Sequence, residues 1–297
     1  MWDCGDRAER DGRLLNAAFY YRAAEFFIDS GDPDKAVAYD KFVSLFHQSA
    51  TDLRYERVEV PYQDAHLPAY AMEPERQELG TIVVHGGCDS LAEELLYQFQ
   101  TSVAAGFRVV LFEGPGQGYA LKKLTRPMIP AWEQPVGAVL DHFDIAECSL
   151  LGISLGGGLA IRAAAFEPRI KHVIADDVLD NFYDCIAGRM PSAKKRLVDF
   201  MLGYNLRSAA NRAFAKAAKS DRVIAWAIDH GMKVSGTSTP FDHLKWTQQI
   251  DTREISHQVQ QDCLLLAARD DHLVPFSQYF RQTENLVSAR SITGRIF

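Results

Sequence analysis

Five runs of this chain carry near-continuous apolar, β-prone residues: TIVVHGG (81–87), FRVVLFEGPGQG (107–118), ECSLLGIS (147–154), IKHVIADD (170–177) and DCLLLAARDD (262–271). A strand with one wet face alternates; a strand that does not alternate has both faces covered. Stretches of helical spacing separate the runs and supply that cover. Strand–helix repetition of this kind predicts an α/β fold built on a doubly wound, mostly parallel sheet. At 297 residues the chain has room for one large α/β domain with an insertion, or for two modest domains.

Two segments depart from that rhythm. Residues 10–50 read as helical, with Leu15, Phe19, Ala23, Phe26 and Phe27 at three- and four-residue spacing. A second helix restarts with Asp32 as N-cap and Pro33 at the first helical position, and its expected buried stripe is Tyr39, Phe42, Val43 and Phe46. RYERVEV (54–60) and LPAYAME (67–73) then read as an antiparallel hairpin. Ser90 followed by Glu93 has the spacing of a capping box for the helix after the first parallel strand. Residues 178–255 are rich in Ala, Arg, Lys and aromatics, with helical spacing and no strand pattern. They read as a helical cap over the carboxyl edge of the sheet, where open α/β sheets bind ligands. The expected organisation is an N-terminal helical extension (1–52), a core (53–177 and 256–297) and the cap (178–255).

Charge and cysteine usage exclude several classes. A net charge of −7 argues against a nucleic-acid-binding surface. The Lys194-Lys195-Arg196 run reads as a solvated helix face. Five scattered cysteines (Cys4, Cys88, Cys148, Cys185 and Cys263) form no CxxC pair, which fits reduced thiols in a cytoplasm and argues against disulfides or a metal site. The first residues, MWDCGDRAERDG, are polar, so no signal peptide is expected, and no apolar run reaches membrane-spanning length. The expectation is a cytoplasmic protein acting on a small molecule, without nucleic-acid or membrane partners; a homodimer is the one assembly left open.

The chemistry concentrates at three turns. Gly152-Ile153-Ser154-Leu155-Gly156 places a serine between a strand, CSLLGI, and a helix, LGGGLAIRAAAFEP. A serine on such a strand-to-helix turn is exposed on a strained backbone, and larger residues at 152 or 156 would clash with it. The helix N-terminus behind it offers free N–H groups. HGGCDS (85–90) ends the preceding parallel strand, where backbone N–H groups meet a developing oxyanion together with that of Leu155. Gly87 is the first candidate donor and Cys88 the second, while His85 reads as structural. In ARDDHLVP (268–275), Asp271 stands in a D-x-x-V-P arrangement suited to orienting an imidazole. Glu113 is read either as a pocket group at the same carboxyl edge as Ser154 or as part of the Gly-Pro-Gly turn, and Cys88 is also a pocket candidate. Asp177, with Asp176 and Asp180, opens the cap and is a further pocket candidate; the spacing of this cluster does not demand a metal. The cap aromatics Phe182, Tyr183, Phe200, Trp226 and Trp246 suggest either a substrate with apolar bulk or the cap's own core.

Together, the HGG turn, the elbow and the D-x-x-V-P loop resemble the α/β-hydrolase superfamily. More narrowly, VVHGGCDS, LFEGPGQG and ISLGGGLAIRAAAFEPRI resemble a branch that includes dihydroxypseudooxynicotine hydrolase and fungal polyketide acyltransferases. The resemblance implies a cofactor-free serine hydrolase or acyltransferase acting on an ester, a thioester or a carbon–carbon bond next to a ketone. It implies Ser154 as nucleophile, Asp271 as acid, and Gly87 with Leu155 as oxyanion hole.

One member departs from the pattern. Such enzymes run Ser, Asp, His along the chain, and a neutral serine is a poor nucleophile without a base. No histidine follows His272, and the loop where one is expected comes after the run ARSITGRIF (289–297), which reads as a strand. Three readings stay open: a histidine in a C-terminal continuation, substitution by His272 (or by His230 or His243 of the cap), or a non-catalytic relative that only binds ligands.

Overall fold

The computed structural model describes every residue except Arg189. Its centre is an eight-stranded sheet in the order β1-β2-β4-β3-β5-β6-β7-β8. The strands are β1 (Glu56–Tyr62), β2 (Ala65–Met72), β3 (Gly80–His85), β4 (Phe107–Phe112), β5 (Cys148–Ile153), β6 (Ile170–Asp176), β7 (Asp262–Ala267) and β8 (Ser291–Ile296). β1 and β2 form the expected antiparallel hairpin, β2 pairs antiparallel with β4, and every pairing from β4 to β8 is parallel.

The two faces explain why the strands do not alternate. In β4, Val110 and Phe112 point into a core shared with Trp132, Val136, Leu150 and Leu159, whereas Val109 and Leu111 point into a second core with Tyr21, Phe42, Phe46 and Leu96. Period-two side chains thus feed two separate apolar layers. The second layer is supplied by α1 (Trp2–Arg10), α2 (Leu14–Phe27) and α3 (Pro33–Ser49), together with α4 (Ala92–Leu96) and α5 (Gln100–Ala105). The opposite layer holds α6 (Gly118–Lys122), α7 (Glu133–His142) and α8 (Leu155–Phe166).

Asp32 caps α3 by accepting the N–H of Asp34 at 2.9 Å, with Pro33 at the first position, and Tyr39, Phe42 and Phe46 are buried. The stripe read for α2 is different. Phe19 and Phe27 are exposed, and the buried face is Ala17, Ala18, Tyr21, Arg22 and Glu25. The capping box is also displaced by one residue: Glu94 accepts the N–H of Leu91 at 2.8 Å, while Glu93 is buried and accepts the Tyr70 hydroxyl at 2.7 Å.

Between β6 and β7 the described residues hold α9 (Phe182–Ala187), α10 (Ser192–Gly203), α11 (Arg207–Ser220), α12 (Arg222–Ser235) and α13 (Pro240–Thr247), with no strand longer than a single bridge, Asn181 to Asp251. These helices have a small core of their own around Tyr183, Met201, Leu202, Phe241 and Leu244. Lys194 and Arg196 lie on the solvent side of α10. α14 (Ser277–Asn285) clamps the base of this insertion: Gln278 accepts the N–H groups of Asp180 and Asn181, and Arg281 pairs with Asp180 through two nitrogens.

Candidate active site

Ser154 sits between β5 and α8 with φ 60° and ψ −127°, an unfavourable backbone for any residue with a side chain. Its side chain is exposed at the carboxyl edge of the sheet. Such a turn closes only where strand and helix approach each other. A Cβ on Gly152 would stand 2.0 Å from the carbonyl oxygen of Gly156, so glycine at 152 is a steric requirement.

The loop after β3 lies against the same turn, since a Cβ on Gly87 would stand 2.8 Å from the Leu155 nitrogen. Behind the loop, Gln117 Nε2 donates to the carbonyls of Gly86 and Gly87 at 2.6 and 3.1 Å. Those carbonyls are turned toward Gln117, and a peptide N–H points opposite to the carbonyl of its own unit. The amides of Gly87 and Cys88 therefore face away from Gln117. Among the described residues, no hydrogen bond takes the N–H of Gly87, Cys88 or Leu155. Free N–H donors beside the start of a helix are the groups from which anion sites are built.

Glu113 does not line this surface. It is buried, its carboxylate accepts the N–H of Ala92 at 2.9 Å and of Tyr119 at 2.6 Å, and it ties the start of α4 to the start of α6. Burial, reinforced by nearby Glu93, raises its pKa to about 7.

The acid side is built differently. Asp271, four residues beyond β7, accepts the N–H groups of Leu273 and Val274 at 2.5 and 2.6 Å on one oxygen. Asp177, one residue beyond β6, accepts the N–H of Val178 at 2.6 Å and meets the Asp271 carboxyl. Burial first, then the charge of Asp271, lifts Asp177 to about 6. Asp180, grouped with it in the sequence, is fully buried and committed to Arg281.

Three histidines are engaged elsewhere and a fourth is exposed. His85 is fully buried against Phe112 and Trp132, and desolvation lowers its pKa to about 4. His243 is buried and bonded to Ser235 at 3.0 Å, and its pKa falls to about 4 for the same reason. His230 is 2.8 Å from Asp89, and His272 is exposed. Among the described residues, no histidine is hydrogen-bonded to Ser154 or Asp271.

A model of the alpha/beta hydrolase fold matches residues 82–291, more than two thirds of the sequence. The chain belongs to the alpha/beta hydrolase family. This α/β hydrolase is 29% identical to Hydrolase acrC of Aspergillus aculeatus over 304 residues, covering 90% of the chain and 69% of that protein. It is 32% identical to 20-hydroxy-prefusarin hydrolase FUS2 of Gibberella moniliformis, covering 84% of the chain and 64% of that protein. The chain thus spans about two thirds of these relatives' lengths. Among solved structures, 2,6-dihydroxy-pseudo-oxynicotine hydrolase superposes with a TM-score of 0.74 at 20% identity, covering 99% of this chain and 77% of that one. That likeness concerns the fold.

Two groups of the α/β hydrolase were not legible as a site. Trp226 neither lines a cleft nor fills the core of the insertion: it lies against Phe26 and Phe27 of α2 and donates its indole N–H to the Phe26 carbonyl at 2.7 Å. Phe200 is half exposed beside Tyr204. The other group is Arg22, whose partners on the β3 loop lie 67 and more residues away. No local pattern reports a contact of that range. Among the described residues no helix is long and apolar enough to cross a membrane.

Proposed function

We propose that this protein is a serine hydrolase in which Ser154 attacks a substrate carbonyl and Leu155 with Gly87 receives the oxyanion. The reading is carried by one observation: a strained, exposed serine heads a helix whose first N–H is free, with the Gly87 loop packed against that turn. Attack by the hydroxyl forms a carbon–oxygen bond and a tetrahedral oxyanion as the hydroxyl proton passes to a base, which returns it to the leaving group; none of the described histidines is bonded to Ser154 to serve as that base. Collapse expels the leaving group as an alcohol, thiol or ketone-stabilised carbanion and leaves an acyl group on Ser154. Water then releases the acid; an acceptor alcohol or amine in its place makes the same residues an acyltransferase. Asp271 is the acid member. β6 lies between β5 and β7, so the edges that carry Ser154 and Asp271 are roughly 10 Å apart, a gap that suits an intervening imidazole. The helices of residues 178–255 serve as a cap over this edge, and the substrate class is small to medium and apolar.

A second reading, a ligand-binding protein on a hydrolase scaffold, has one observation in its favour: among the described residues no histidine is hydrogen-bonded to Ser154 or Asp271. Turnover of a panel of p-nitrophenyl esters and acyl thioesters separates the two. The hydrolase reading expects turnover that Ser154→Ala removes. Equal turnover by Ser154→Ala contradicts it, and saturable binding of the same esters without turnover favours the second reading.

A further inference from the structure

The β3 loop is held by more than Gln117. Arg22, on α2, is 7% exposed and reaches this loop from the N-terminal helices. Its guanidinium donates to the backbone carbonyl of Asp89, pairs with Glu25 at 2.8 Å, and lies 3.0 Å from Glu94 at the start of α4. Glu25, 1% exposed, pairs in turn with Lys122 at the end of α6, and Lys35 of α3 lies 3.4 Å away. α6 follows directly on Gln117. The contacts therefore close a ring: the Gly86 and Gly87 carbonyls to Gln117, along α6 to Lys122, to Glu25, to Arg22, and back to the Asp89 carbonyl. On the outer side His230 of α12 takes the Asp89 carboxylate at 2.8 Å and stacks on Trp226.

A ring of buried charge is a poor device for stability. Desolvation is costly for each ion, and well-packed apolar side chains of similar size do as well or better. What a forked, five-donor guanidinium supplies is direction: it fixes several acceptors in one geometry. Here the acceptor without a charge of its own is the Asp89 carbonyl, two residues from Gly87. Asp89, Cys88 and Arg22 also wall a cavity of about 20 Å³, room for about one water, so the loop has space to shift if the grip is lost.

We infer that Arg22 is a positioning residue for the oxyanion-binding loop, acting through the Asp89 backbone on the amides of Gly87 and Cys88. The inference deepens the serine-hydrolase reading and rests on it for its catalytic consequence, but not for the placement of the loop. The N-terminal helices are then part of the catalytic apparatus as well as a cover for the sheet.

Two readouts test it on the protein as it stands. Cys88 lies in the loop, and its alkylation by iodoacetamide, followed by peptide mass spectrometry, reports loop position. Cys148, buried in β5, reports general unfolding in the same sample. Arg22→Met is expected to speed Cys88 alkylation about tenfold with Cys148 still protected, and to lower kcat on the esters by roughly tenfold to a hundredfold with KM within about twofold. Arg22→Lys keeps a charge between Glu25 and Glu94, so it preserves the fold, but it lacks the fork; it is expected to fall between wild type and Arg22→Met in both readouts. Unchanged Cys88 protection in both variants overturns the inference, as does a rise in Cys88 that appears only together with Cys148. If the wild type turns no ester over, the hydrolase reading fails, and the Cys88 rates alone decide the placement of the loop.

Discussion

The two sides of the candidate site are built to different standards. On the elbow side, Ser154, Leu155 and Gly87 are fixed by backbone: a left-handed serine, glycines in steric contact with neighbouring main chain, and a loop gripped by Gln117 and Arg22. On the acid side, Asp271 is partly exposed, held by two N–H groups of its own loop, and faces the like charge of Asp177. Backbone dipoles locked in place stabilise charge without rearranging when it develops. A carboxylate on a surface loop needs a third group between it and the serine to define its role. In the proposed reading, the difference puts the pre-built half of the site at the oxyanion and leaves proton transfer to the looser half.

Substitutions sharpen or break that contrast. The largest effect is expected at Asp271→Asn. The amide oxygen keeps the loop N–H bonds, so the fold stays intact, while in the hydrolase reading loss of the charge that would orient a base lowers kcat by about 10⁴; ester kinetics beside a thermal melt check both halves. Gly87→Ala comes next, because its Cβ meets the Leu155 nitrogen at 2.8 Å and crowds the oxyanion position. A loss of roughly a hundredfold in kcat is expected, against little change in KM. An unaltered kcat would remove Gly87 from the oxyanion hole.

Glu113→Ala acts on stability. It strips the N–H groups of Ala92 and Tyr119 of their acceptors, and urea unfolding is expected to show a loss of about 2 kcal/mol. The smallest effect is expected at Asp177. Its pKa in the folded protein, about 6, lies above its ordinary value of 3.8, so the fold binds the proton more tightly than the unfolded chain does. Stability contributed this way is present below about pH 4 and fades as pH rises through 6. Asp177→Asn should therefore raise unfolding free energy by about 1 kcal/mol at pH 7, after allowance for solvent screening, and change nothing at pH 4. An equal gain at both pH values would dissociate Asp177 from the charge of Asp271.

Much of the elbow side was legible in the sequence because its signals are local. The strand, the glycines and Ser154 fall within a dozen residues, and Asp32-Pro33 marks the start of α3 as directly. What escaped lies where distant segments meet. Arg22 and Glu25 look like the wet face of α2, yet they are buried because Lys122, Glu94 and Asp89 arrive from elsewhere, and they leave Phe19 and Phe27 exposed. Trp226 looked like pocket or insertion core and instead docks on α2. Asp177 and Asp271 stand 94 positions apart in the chain and touch because β6 and β7 are neighbours. Periodicity finds which face of an element is apolar; it does not find which charges the fold will pair.

The central claim is that Ser154 is a nucleophile facing a pre-formed oxyanion hole. The most direct measurement is incubation with an alkyl fluorophosphonate followed by mass spectrometry of the peptide that carries residue 154. The account predicts a single phosphonyl adduct on Ser154, absent in Ser154→Ala and formed roughly a hundredfold more slowly in Gly87→Ala. An adduct on another residue, or equal rates in wild type and Gly87→Ala, would contradict it.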